Sequence, residues 1–157
     1  RLNMELQSDN NPFAIYSNRK TNIFFGVTGI RKREGKESLL QFNNVINGLR
    51  AGFYVLGKQY NNKTVKEIGQ TYSRTDKDGY TAYLKQKLGD DFKLDANDDE
   101  SLAKLGITIM GFETGHKDNV LSELNISDKQ ISKAISESKL EKADSQYGQM
   151  VNSGMVK

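Results

Sequence analysis

The apolar residues of this chain change their spacing near Asn43. Before that point they come in short runs; after it they recur at steps of three and four. The run Ile23 to Val27 is rich in β-branched and aromatic residues, which fit a pleated strand. Ser38 to Phe42 forms a second short run. Between them lie Gly29, Arg31-Lys32-Arg33 and Gly35. This pattern predicts a β-hairpin with a long basic loop, set in an otherwise irregular, polar N-terminal part.

Helices are predicted after Asn43. Ile46, Leu49, Phe53, Leu56 and Tyr60 mark one buried face, with Asn43 or Asn44 as the N-cap. Gly48, Gly52 and Gly57 each weaken that helix by up to about 1 kcal/mol relative to Ala, so close approach by a neighbour is expected to offset them. Thr64 with Glu67 reads as a capping box, followed by Val65, Ile68 and Tyr72 on one face. A third helix runs from about Gly79 to Leu88, carries Tyr80, Leu84 and Leu88, and stops at Gly89. Asp98, Asp99 and Glu100 place negative charge at the start of a fourth, where the helix dipole favours it. Its stripe is Leu102, Leu105, Ile109 and Phe112, and Gly115 ends it. Ser127 and Gln130 form another capping box that opens a fifth helix through Ile131 and Ile135. Past Leu140 the pattern fades. Asp144 to Lys157 is polar and by itself is expected to lack order; a partner chain is the simplest agent to order it. The reading is mainly α (α+β): a globular part over 1–126, then a C-terminal helix and partner-ordered tail over 127–157.

Composition narrows the chemistry. The chain has 157 residues, 36% hydrophobic and 27% charged, within the range of a globular domain. It has no cysteine, which excludes disulfides and thiolate chemistry. His116 is the single histidine, so a multi-histidine metal site is excluded, and no cofactor is expected. The net charge of +3 comes from 23 basic and 20 acidic residues. Only Arg31-Lys32-Arg33 with Lys36 approaches a basic stripe, so a nucleic-acid partner is not expected. No apolar run is long enough to span a membrane, and no signal-peptide pattern is visible. Arg1 in first place reads as a processed, trimmed or partial product.

An ordered set of signatures runs from Asn10 to Gly115. It comprises Asn10-Asn11-Pro12, Ile23-Phe24-Phe25-Gly26, Phe42, Gly48-Leu49-Arg50-Ala51 and Tyr60. It continues through Thr64-Val65-Lys66-Glu67-Ile68, Thr81-Ala82-Tyr83-Leu84, Gly89 and Glu113-Thr114-Gly115. In order and spacing this set resembles a family of small bacteriophage structural or internal virion proteins, some of them compared with lytic transglycosylases. The likeness covers about two-thirds of the chain. It departs at Phe13-Ala14, where the family often has Gly-Asn, and at Tyr72-Ser73-Arg74-Thr75, in place of a Trp-Ala-Pro segment. The resemblance implies a component of the phage particle, assembled with other virion chains and delivered to the host cell envelope; the polar C-terminal tail is where those chains are expected to be contacted. The alternative it implies is a lysozyme-like enzyme that cleaves peptidoglycan by a transglycosylase route.

Two residues are candidate catalytic groups. Glu113 falls near a helix C-terminus, whose negative end raises a carboxyl pKa and suits a general acid. Its ordinary role would be a solvated helix-end glutamate. Glu37-Ser38 matches a Glu-Ser pair found in lytic transglycosylases, where the Glu ends a helix; here it begins a strand. Glu34 with Glu37 could form a carboxylate pair. His116 is read as a helix-end residue and not a metal ligand. Asp90, Asp91, Asp95, Asp98, Asp99 and Glu100 lack the Gly and the spacing of a calcium loop and are read as caps and solvated charges. Arg50 is expected to pair with a carboxylate or with loop carbonyls. Tyr16, Tyr54, Tyr60, Tyr72, Tyr80 and Tyr83 suit either a sugar groove or ordinary half-buried packing.

Overall fold

A computed structural model describes residues 2–141. The chain opens with a short helix, α1 (Leu2–Ser8), where the sequence pattern predicts no element. Leu6 anchors it, fully buried. The next residues are fastened by side-chain amides. Asn11 is buried; its Nδ2 donates to the carbonyls of Ile15 (3.1 Å) and Leu40 (3.0 Å), and its Oδ1 accepts from the Ile15 amide (2.9 Å). Asn10, at a left-handed φ of 55° that Asn tolerates well, donates Nδ2 to the Phe42 carbonyl at 3.0 Å.

A single 3₁₀ turn (Thr21–Ile23) leads to the hairpin, β1 (Val27–Arg33) and β2 (Lys36–Phe42), paired antiparallel. The expected strand at Ile23 to Val27 is therefore not formed: β1 starts where that run ends. Phe24 is buried edge-on against Tyr54 (5.8 Å), and Gly26, at φ 87°, turns the backbone out of an extended path. The expected long basic loop is likewise absent. Arg31-Lys32-Arg33 lies within β1, and the connection is the turn Glu34-Gly35, with Gly35 at φ 68°. The alternation along β1 is inverted. Arg31 and Arg33 sit on the half-buried face while Ile30 points out, 43% exposed. Partners make this tolerable. Arg31 binds buried Asp9 in a fork (Nε–Oδ2 2.5 Å, Nη2–Oδ1 2.9 Å), and this bond raises the guanidinium pKa above its ordinary value. Arg33 Nε donates to the Glu37 carbonyl at 2.8 Å.

The helical part follows the expected stripes. In α2 (Val45–Tyr60) the Asn44 side chain accepts from the Asn47 amide at 2.9 Å, and Leu49, Phe53, Leu56 and Tyr60 are buried. Two of its three glycines meet close neighbours. A Cβ on Gly48 would lie 1.7 Å from the Asn10 carbonyl oxygen, and one on Gly52 1.9 Å from the Phe13 ring. Gly57 faces only ordinary contact with Ala96. Then come α3 (Val65–Thr71) and α4 (Lys77–Leu88), the first opened by the Thr64–Glu67 capping box, the second by Asp76 and closed by Gly89. Next is α5 (Asp99–Thr114), capped by Asp98 and ended by left-handed Gly115. A short α6 (Val120–Glu123), not predicted, precedes α7 (Asp128–Ser138) with its Ser127–Gln130 capping box. Helix α7 packs on α2 and α5, and Ile131, Ala134 and Ile135 join the same core as Phe13, Phe53 and Leu105. The architecture is mainly α with an N-terminal hairpin. Among the described residues no helix is long and apolar enough to cross a membrane. The stretch Asp144 to Lys157 lies outside the described residues.

Two substitutions test this frame. Gly52→Ala improves helix propensity yet drives a methyl into Phe13, so a net loss of about 1–3 kcal/mol is expected from denaturant midpoints. A stabilised variant would refute the close approach. Asn11→Ala strands the Ile15 and Leu40 groups and should lower stability by about 2–4 kcal/mol. A change under about 0.5 kcal/mol, the range of an ordinary surface site, would show that the amide stitches nothing.

Candidate active site

Glu113 is the penultimate residue of α5, fixed there because Leu105, Ile109 and Met110 seat the helix in the core. Its carboxyl is half-buried. Tyr80, fully buried on α4, donates its hydroxyl to Glu113 Oε2 at 2.8 Å. Burial pushes the Glu113 pKa up to about 7, against the opposing pull of the Tyr80 hydrogen bond and the positive charge of Arg33. The helix end invoked from sequence is thus not the leading cause; removal from water is.

Glu113 sits where two cavities of about 290 and 710 Å³ share a wall. Ala14, Tyr16, Ser73 and Arg74 also line both, so the two form one groove within the size range of small-ligand sites. Tyr60 and Tyr72 wall the smaller half; Arg33, Lys36 and Glu37 wall the larger. Beneath runs a file of rings: Tyr60 to Tyr72 (6.0 Å), Tyr72 to Tyr80 (5.9 Å), and Tyr80 stacked on Phe112 (3.9 Å). Burial holds the Tyr72 and Tyr80 pKa values well above the ordinary one, so both remain donors. Tyr72 donates to the Phe13 carbonyl at 2.8 Å. Ala14, beside Phe13 in the groove wall, carries a φ of 54°, a conformation strained for alanine and easier for asparagine.

Glu37 lies at the start of β2, second after Lys36, and lines the same groove. It is not a free carboxylate: it pairs with Arg74, whose guanidinium also lies 5.9 Å from the Tyr16 ring centre. Glu34 is exposed at the hairpin turn and does not line the groove, so Glu34 and Glu37 make no joint site. His116 faces Glu123 at 4.0 Å. In the acidic stretch, Asp98 caps α5, Asp95 accepts from the Asn97 amide, and Asp99 pairs with Lys139 at 2.7 Å. Among the described residues no group of three or more His, Asp or Glu could hold a metal ion. Arg50 does take a carboxylate, Glu141 (3.2 Å), and covers Phe25 at 4.6 Å.

Sequence reasoning identified Glu113 and the tyrosines but not their junction. Tyr80 and Glu113 lie on different helices, and Arg33 arrives from the hairpin. Nothing in the periodicity links them. No model of a known protein family matches the chain, and comparison with curated proteins finds no match.

The Glu113 pKa has a measurable consequence for stability. The folded protein holds this proton up to about pH 7, whereas an unfolded glutamate loses it near 4.5. Between those values the folded state binds more protons, so stability falls as pH rises and then levels off. Glu113→Gln removes that slope and should be the more stable protein at pH 8 by about 1–3 kcal/mol. Urea midpoints across pH 4 to 9 check this; parallel curves for the two proteins would contradict it.

Proposed function

We propose that this chain is a glycan-cleaving component of a bacteriophage particle that acts on peptidoglycan by the lytic-transglycosylase route. One observation carries the chemistry: a half-buried carboxyl, Glu113, with a pKa of about 7, set in an open groove walled by tyrosines. A general acid works best when its pKa lies near the working pH. Tyr80 occupies Oε2, which leaves Oε1 for substrate. Protonated Glu113 gives its proton to the glycosidic oxygen as the C1–O bond breaks. The resulting carboxylate then takes the proton of the sugar's own C6 hydroxyl as O6 closes on C1. The product is a 1,6-anhydro sugar, the acid is restored, and no water is consumed.

This route needs one free carboxylate, and the groove offers one, since Glu37 is engaged by Arg74. A hydrolase of the usual two-carboxylate kind needs a second. Tyrosine faces give sugar rings flat apolar surfaces with hydroxyl tips. Placement in the particle, with other virion chains contacted through the C-terminal stretch, is supported by the ordered signatures from Asn10 to Gly115. Residues of both departures from that family, Ala14 in the first and Tyr72 to Thr75 in the second, line the groove wall. Any difference in substrate is therefore expected there.

The purified chain incubated with cell-wall sacculi should release anhydro-muropeptides, detected by mass spectrometry. Glu113→Gln should lose about 10²–10⁴-fold in rate. Glu37→Gln should yield the same anhydro product, and wild-type activity should decline above about pH 7 as the acid ionises. No product from folded wild-type protein, or an unimpaired Glu113→Gln, refutes the proposal. Reducing-end products in place of anhydro ends would reassign the route to hydrolysis.

A further inference from the structure

The two halves of the groove differ in charge. The larger half, under the hairpin, is lined by Arg33, Lys36 and Arg74 against Glu37 and Glu113. Arg74 and Glu37 neutralise each other. Arg33 spends its Nε on the Glu37 carbonyl, and among the described residues its terminal nitrogens donate no hydrogen bond. The Lys36 ammonium has no ion pair among the described residues. The field of Arg33 already reaches Glu113, since it is one of the forces acting on that carboxyl. The smaller half carries no charge of its own beyond the shared Arg74 and Glu113; its walls are Tyr60, Tyr72, Val55 and Gln59.

From this asymmetry we infer that the hairpin half is a carboxylate subsite, in which Arg33 and Lys36 hold the acidic substituent of a glycan and so set the direction in which the strand crosses Glu113. The inference rests on the glycan-cleaving reading and adds to it a substrate class and an orientation. The sugar bearing the carboxylate lies under the hairpin, its neutral neighbour lies on the tyrosine side, and the bond between them meets Glu113. Guanidinium and ammonium groups recognise a carboxylate through charge-assisted hydrogen bonds, and an arginine with free terminal nitrogens can do so in a fork. In peptidoglycan that carboxylate has two sources, the acidic stem peptide or, once the peptide is removed, the lactyl ether of the sugar itself.

Binding to the Glu113→Gln protein separates these possibilities, because that variant keeps the groove without turnover. Calorimetry would compare a peptide-bearing peptidoglycan tetrasaccharide, its amidase-stripped counterpart, and a neutral chito-oligosaccharide of equal length. The acidic ligands should bind at least about fivefold more tightly than the neutral one at low salt, and that advantage should shrink as salt is raised. Adding Lys36→Glu or Arg33→Gln should weaken the acidic ligands roughly threefold or more and leave the neutral one unchanged. A preference for the peptide-bearing ligand over the stripped one assigns the stem peptide as the source, tighter binding of the stripped one assigns the sugar carboxylate, and equal binding of the two means that the subsite takes either carboxylate. Equal affinity for acidic and neutral glycans, or parallel loss of both in the added variants, overturns the inference while glycan binding stands. Binding of none of the three overturns the glycan reading with it.

Discussion

The approach of the Asn10–Ile15 segment to the helical core is the contact on which the rest of the molecule depends. Phe13 lies against Gly52 and packs edge-on against Phe53 at 5.3 Å, while the Asn10 carbonyl occupies the space over Gly48. No residue with a Cβ fits at either glycine without moving this segment. The helix-propensity loss at Gly48 and Gly52 is thus offset by burial of a phenylalanine that no exposed loop would retain. Asn11 then ties the same segment to β2. A few residues therefore join hairpin to helices, and Ala14 and Tyr16, immediately downstream, become groove wall.

The groove follows from that junction. Its floor is a file of tyrosines whose hydroxyls are accounted for: Tyr72 on the Phe13 carbonyl, Tyr80 on Glu113. A carboxyl placed above this apolar floor loses water on one side, and one neutral donor does not replace the lost hydration. The pKa near 7 is the result. Folding thus places the ionised carboxylate in an unfavourable setting, and the resulting shift is of the kind that the proposed general acid requires.

Charge is arranged with the same economy around the hairpin. Beyond Val27 the inner face of β1 holds arginines, and each has a defined acceptor: Asp9 for Arg31, the Glu37 carbonyl for Arg33. The Arg74–Glu37 pair joins the hairpin to the α3–α4 connection across the groove. Both of its members are substantially exposed, so it contributes little to stability, and its effect is on the charge that a ligand meets.

Five helices, α2, α3, α4, α5 and α7, were legible in the sequence because their causes are local, whereas α1 and α6 were not. The capping boxes at Thr64–Glu67 and Ser127–Gln130, the stop at Gly115 and the buried stripe of α2 act over one or two turns. Glycine crowding in α2 was legible as a demand for a neighbour, though not as Phe13. The hairpin was placed only in outline, because β1 buries arginines on the face where a period-two pattern expects apolar residues, and their partners lie elsewhere in the chain. Glu113 could be singled out by its position near a helix end, but its raised pKa comes from burial, and burial is set by how α4, α5 and the hairpin pack. Sequence therefore determined the five helices with local caps and stripes and which residue types were on hand. Tertiary packing alone decided which carboxyl loses its water, because desolvation depends on neighbours that only the fold brings together.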